Sequence, residues 1–149
     1  MSIKLQLYSE CSGYVEKRIA AIEKTMQEAQ DSANNETKSS AGDKYETTRS
    51  MMQLDKVMNT KQLLAANSLK EDLRKIDISK QHLSVQVGSL VMTSLANYFI
   101  AIGAGKMTVE GIDYFAISLT SPIGALLLGK KVGEEIIFNK QKIIIQAIF

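Results

Sequence analysis

Apolar and small residues return along the first half of the chain in steps of three and four. Tyr8, Cys11, Val15, Ile19, Ile22, Met26, Ala29 and Ala33 keep this rhythm, the seam of one helix packed on another. Met51, Leu54, Met58, Ala65, Leu69, Leu73 and Ile76 form a second, less regular seam. Facing residues of an antiparallel helix pair have position numbers with a constant sum. Six pairs drawn from the two seams share the sum 84, which centres the reversal on Gly42. The pattern therefore predicts an antiparallel α-helical coiled-coil hairpin over 1–78, with its tip near 42–46. Ser40-Ala41-Gly42-Asp43-Lys44-Tyr45-Glu46 is polar and contains a glycine, as a turn region should. Helical residues from Tyr8 to this tip span roughly 50 Å at about 1.5 Å per residue. A rod of that length is expected to project from the remaining domain with its tip free.

The rhythm changes near Asp77. Residues 77–82 read as a linker, and short apolar runs follow. Strands are predicted over 85–95, 97–102, 106–109, 113–119, 135–138 and 142–149. Ser121-Pro122 opens a short helix, with serine as N-cap and proline at the first position. Gly129 closes that helix, and Lys130 and Lys131 stand near its negative end. The second half, 79–149, is thus a small, mostly antiparallel sheet with one helix, and the whole chain is α+β.

Composition narrows the function. The chain has 149 residues, 45% hydrophobic and 23% charged, room for one medium domain or two small ones. A net charge of +2 gives no broad basic surface, so independent DNA binding is not expected. Cys11 is the one cysteine, which excludes an internal disulfide and a cysteine-rich zinc site. Its seam position makes it a core thiol. No leader peptide is expected, and no apolar run approaches the length of a membrane span. The expected compartment is cytoplasmic, with no membrane partner.

Asp43 and Glu46 are the candidate chemistry. Acids three residues apart at a helix start fit a capping box. The same pair, on one exposed face, can also share a divalent cation. Two carboxylates alone hold Mg²⁺ weakly, so a partner would have to supply further ligands. The two roles are compatible. His82, the one histidine, lies in the linker without acid or cysteine neighbours and is expected at the surface, with no catalytic role.

Two stretches resemble the Gre family of bacterial transcript-cleavage factors. The stronger runs Ile117-Ser118-Leu119-Thr120-Ser121-Pro122-Ile123-Gly124-Ala125-Leu126-Leu127-Leu128-Gly129-Lys130-Lys131-Val132-Gly133-Glu134-Glu135. It is similar to that family's C-terminal signature: a strand, an SP-type helix start, LLGKKVG and an acid. The second, Gly42-Asp43-Lys44-Tyr45-Glu46, is similar to the family's tip, where glycine precedes an acid-x-x-acid pair. The resemblance covers nearly the whole chain. It implies a coiled-coil hairpin followed by a domain of FKBP-like fold. It further implies a partner, RNA polymerase, whose secondary channel the hairpin enters. Asp43 and Glu46 then help position a Mg²⁺ shared with the polymerase, and a water, near the 3′ end of the nascent RNA. The polymerase itself hydrolyses the backtracked RNA, so the factor is an accessory and not an enzyme, with no cofactor of its own. Lys44 and Arg49 beside the tip are candidate contacts to RNA phosphate or polymerase acids, and Lys130 and Lys131 to an acidic docking surface.

The tip departs from the family where Thr47-Thr48-Arg49 follow Glu46 in place of an asparagine and another acid. A second expectation therefore stands beside the first: a regulator that occupies the channel without promoting cleavage. A prolyl isomerase is a third, and it needs an aromatic-lined apolar pocket. The aromatics available to it are Tyr98, Phe99, Tyr114, Phe115, Phe138 and Phe149, several at core-like strand positions.

Overall fold

Two long helices open the chain, and a mostly antiparallel sheet with one short helix completes it. The computed structural model describes the backbone of residues 2–38 and 42–149, and the side chains in those ranges except at 33, 35–38 and 42–49. Helix α1 is Ile3–Lys38 and helix α2 is Gly42–Arg74. The strands are β1 (Leu90–Thr93), β2 (Asn97–Ile100), β3 (Gly105–Val109), β4 (Ile112–Ile117), β5 (Glu135–Phe138) and β6 (Gln141–Ile148). Helix α3, Pro122–Leu127, lies between β4 and β5. The fold class is α+β, as the pattern predicts. None of the described helices is long and apolar enough to cross a membrane.

The chain divides into two compact units, Met1–Tyr14 with Lys70–Phe149, and Val15–Leu69. Within Val15–Leu69, the seam positions Val15, Ile19 and Ile22 of α1 are buried, as expected. Helix α2 differs from expectation. Met51, Leu54 and Met58 are 61, 65 and 59% exposed, whereas Ala66 is buried. Ala65 is also exposed, and Leu63 is half-buried. The covered face here lies one residue later than the seam read from the sequence. The physical reason is that α2 carries apolar residues on two stripes. Three–four stepping fits either stripe, and periodicity alone does not choose between them.

The sheet of the other unit has strand order β3-β4-β2-β1-β6-β5. All neighbours are antiparallel except β2 and β4, which run parallel. One face gathers Val91, Tyr98, Ile100, Ile143 and Ile145 with Ile123 and Leu127 of α3. Leu90 and Phe99 face each other across β1 and β2, and both are buried. Burial of the consecutive residues Tyr98, Phe99 and Ile100 thus covers both sides of β2, as a central strand requires. The Tyr98 and Phe115 rings meet at 6.2 Å between centroids in a tilted pair. Leu7, Cys11 and Leu73 are buried in the same unit, and the Tyr8 hydroxyl donates to the Leu73 carbonyl at 3.1 Å.

The predicted strand over 85–95 shortens to β1. Gly88 has φ +92°, a left-handed backbone that breaks the run. Val85 turns away to another partner. Its N–H donates to the Lys130 carbonyl at 2.9 Å, and its carbonyl accepts from Gly129 N–H at 2.8 Å. At the far edge, Asn139 and Lys140 both take positive φ, 50° and 63°, between β5 and β6. That is the two-residue hairpin geometry whose twist matches the strands.

Candidate functional site

The chain after β4 is held by one serine. Ser121 Oγ donates to the Ser118 carbonyl at 2.7 Å and accepts from Gly124 N–H at 3.1 Å. It is the N-cap of α3, and Pro122 begins the helix, as the sequence predicts. Leu128 N–H closes the helix onto the Gly124 carbonyl at 3.1 Å, and Gly129 follows with φ +79°. Lys130 and Lys131 come next. The bonds from Val85 pin the backbone at Lys130, and Ser84 bridges Lys131. Glu134 accepts from the Lys131 backbone N–H. Lys131 is exposed and Lys130 half-buried, so this corner presents a fixed backbone with at least one cation in solvent.

Asp43, Lys44, Glu46 and Arg49 belong to the opening turns of α2, which starts at Gly42. Their side chains lie outside the described residues, as do Ser40 and Ala41 of the predicted tip. The structure therefore places these four by backbone position only. Lys130 and Lys131 lie in the other unit, so the two sets of candidate contacts occupy separate bodies.

A cluster around the linker was not legible in the sequence. Lys4 is buried, and its Nζ donates to the Lys80 carbonyl at 2.8 Å. Burial lowers its pKa, partly opposed by Asp77. Asp77 accepts from Ser79 N–H at 3.0 Å and from the Ser79 hydroxyl, which holds its carboxyl below the usual range. His82 is half-buried. Its Nδ1 lies 2.7 Å from Oγ of Ser89, which is wholly buried. Gln86 N–H already donates to that oxygen at 2.9 Å. That oxygen keeps its own proton to give, and a neutral Nδ1 can accept it. The signal missed was Ser89, seven residues away and inside an apolar run. Ser89 Oγ has no solvent access, so the pair is a structural pin and not a nucleophile.

Burial lowers the His82 pKa, Lys4 and Lys80 lower it further, and Asp77 opposes them. Folding therefore favours the neutral ring. Its contribution is complete above the unfolded value of about 6.5 and is lost as pH falls from there toward the lowered folded value. His82 is the one histidine, so no other side chain has its ordinary pKa in that window. Thermal melts between about pH 7.5 and 5 are expected to show Tm falling with pH. A His82→Gln chain should lose that slope, and an unchanged slope would remove His82 as its source.

Burial also pushes the Cys11 thiol up to about 12, with Glu10 adding to the effect. The thiol is neutral and packed, as its seam position predicts. Phe99, Tyr114 and Tyr98 are buried in the sheet unit. Among the described residues, no three of His, Cys, Asp and Glu gather as a metal-binding group. The chain matches no family model, no curated protein and no solved structure.

Proposed function

We propose that this chain is an accessory factor of RNA polymerase that enters the secondary channel and stimulates cleavage of backtracked RNA. One observation carries the reading: an acid-x-x-acid pair, Asp43 and Glu46, opens a 33-residue helix that follows one of 36 residues. The Ser-Pro corner before α3 and the Gly-Lys-Lys after it support the reading through their likeness to the Gre signature. So does the order of parts, with helices first and a sheet unit after. The sheet domain, of FKBP-like fold in this reading, docks outside the channel, with Lys130 and Lys131 toward acidic surface. The helices form the coiled-coil hairpin and carry the acids inward. Their carboxylates are hard oxygen donors of the kind Mg²⁺ takes, but two are too few, and the polymerase must supply the remainder. When bound, the ion would lower the pKa of a water and steady the leaving oxygen. Asp43 and Glu46 orient that shared site, while Lys44 and Arg49 lie within reach of RNA phosphate or polymerase acids.

The experiment is co-purification with RNA polymerase followed by cleavage of backtracked complexes. Wild-type protein is expected to bind and to shorten the RNA faster than polymerase alone. Glu46→Ala is expected to bind equally and return cleavage to the polymerase-alone rate. Binding without any added cleavage by the wild type would favour the second reading, a channel-occupying regulator. Lys44, Arg49 and the missing third acid near the tip favour that reading specifically. Absence of binding overturns both.

A further inference from the structure

His82 fastens more than its own ring. Its Nδ1 meets Ser89 Oγ at 2.7 Å and closes residues 82–89 into a loop. The two ends of that loop differ in freedom. Ser89 is held by the sheet, since its carbonyl accepts from Ile100 N–H at 2.9 Å and Gly88 N–H donates to the Ile100 carbonyl at 2.7 Å. Gly88 also packs against the ring: a Cβ there would lie 3.6 Å from His82 Cε1. Among the described residues, no backbone hydrogen bond anchors His82 in the same way. The ring is half-buried, and Leu83 beside it is 89% exposed. His82 is therefore the end that can leave.

Inside the loop lie the residues that hold the corner after α3. Ser84 bridges Lys131, Val85 N–H donates to the Lys130 carbonyl at 2.9 Å, and the Val85 carbonyl accepts from Gly129 N–H at 2.8 Å. Just before the loop, Lys4 Nζ holds the Lys80 carbonyl at 2.8 Å. We propose that the contact between His82 and Ser89 is a latch opened by acid: a protonated ring leaves Ser89 for water, and the pairing of 84–85 with 129–131 opens locally while the sheet stays folded. The Val85 side chain is packed in the core, so the opening is a brief excursion and not a detachment. The latch needs only the fold, and stands whether or not polymerase is what Lys130 and Lys131 meet.

Charge decides which state wins. Lys4 on α1 and Lys80 in the linker are cations that oppose a charge on the closed ring. Asp77 favours that charge, but its carboxylate already accepts from Ser79. A protonated ring can still donate to Ser89 Oγ, which also receives Gln86 N–H. The hydroxyl then keeps a proton that no described group accepts, in a site with no solvent access. Turned out to water, the ring takes its ordinary value near 6.5. The ratio of open to closed therefore rises as pH falls below about 6.5, by at most about tenfold per pH unit, and levels off at the closed ring's lower value. The fall of Tm has the same titration behind it; the latch says where the chain gives way first.

Amide hydrogen exchange of the full chain, followed by NMR and corrected for the intrinsic effect of pH, reads the latch at Val85 N–H. Its protection is expected to be lower than that of Ile145 N–H, which donates to the Glu134 carbonyl at 3.0 Å. It should fall further as pH drops from about 7.5 to 5, by at most about tenfold per unit. His82→Gln should remove that dependence. Ser89→Ala should leave Val85 less protected already at pH 7.5, with circular dichroism checking that both variants fold. Val85 protection that ignores pH overturns the latch, as does a His82→Gln chain with the wild-type dependence. So does a folded Ser89→Ala chain whose Val85 is protected as in wild type. Equal protection of Val85 and Ile145 at every pH would mean that the corner opens only with the whole sheet, and overturns it too.

Discussion

A Gly124→Ala chain is expected to lose roughly 3 kcal/mol of stability or more, the upper range for forcing atoms into a filled interior. A Cβ at Gly124 would sit well inside contact distance of the Ser118 carbonyl oxygen, 2.8 Å from Ser121 Oγ and 3.1 Å from Leu119 Cα. The first and last of these are backbone atoms and cannot swing aside. The second is the N-cap oxygen that both fastens the corner to Ser118 and receives Gly124 N–H. Moving the corner would therefore open the helix start and displace Ile123 and Leu127 from the core. The measurement is urea unfolding, read as a fall in midpoint at unchanged slope. Ala125→Gly is the control. Ala125 is exposed, so that change should cost about 1 kcal/mol or less, a propensity effect alone. If the two variants unfold alike, the close approach at Gly124 is not what fixes the corner.

That glycine shows what a sequence can and cannot say about its own fold. Ser121-Pro122 announces a helix start through chemistry confined to neighbouring residues, and α3 begins where they predict. Gly129 at φ +79° and the Asn139-Lys140 turn are local in the same sense. Strands β3, β5 and β6 were legible because β3 alternates, β5 and β6 are short runs rich in isoleucine, and turn residues separate β5 from β6. The need for glycine at 124 was not legible, because it arises from a carbonyl six residues earlier folded back onto the helix. The same holds for Ser89, whose partner His82 approaches across a turn, and for Lys4, bound to a carbonyl 76 positions away. On α2 the limit was different: Leu63 and Leu64 are adjacent and equally apolar, yet one is half-buried and the other 64% exposed. Which leucine turns inward depends on what packs there, and composition carries no record of it. The acids at 43 and 46 were found by spacing and by likeness of motif, and their side chains lie outside the described residues.

Phe99→Ala is expected to cost about 3–5 kcal/mol, the range for emptying a buried aromatic site. Phe99 is wholly buried on β2, with Leu90 beside it across the antiparallel pair and Ala116 across the parallel one. Neither neighbour can fill the space. Leu90 is already buried on its own strand, and the Ala116 methyl is too small to reach across. A loss of this size is a large share of the roughly 5–15 kcal/mol that holds a domain folded. It should appear as a fall in urea midpoint and in Tm together. Leu64→Ala supplies the contrast. It also deletes apolar atoms, but from a side chain 64% exposed, so the chain should keep its stability within about 0.5 kcal/mol. If Leu64→Ala instead destabilises the chain as Phe99→Ala does, Leu64 is part of a core. If Phe99→Ala is as mild as an exposed change, β2 is not the centre of the sheet's packing. The pair thus separates apolar surface that holds the chain together from apolar surface left in solvent.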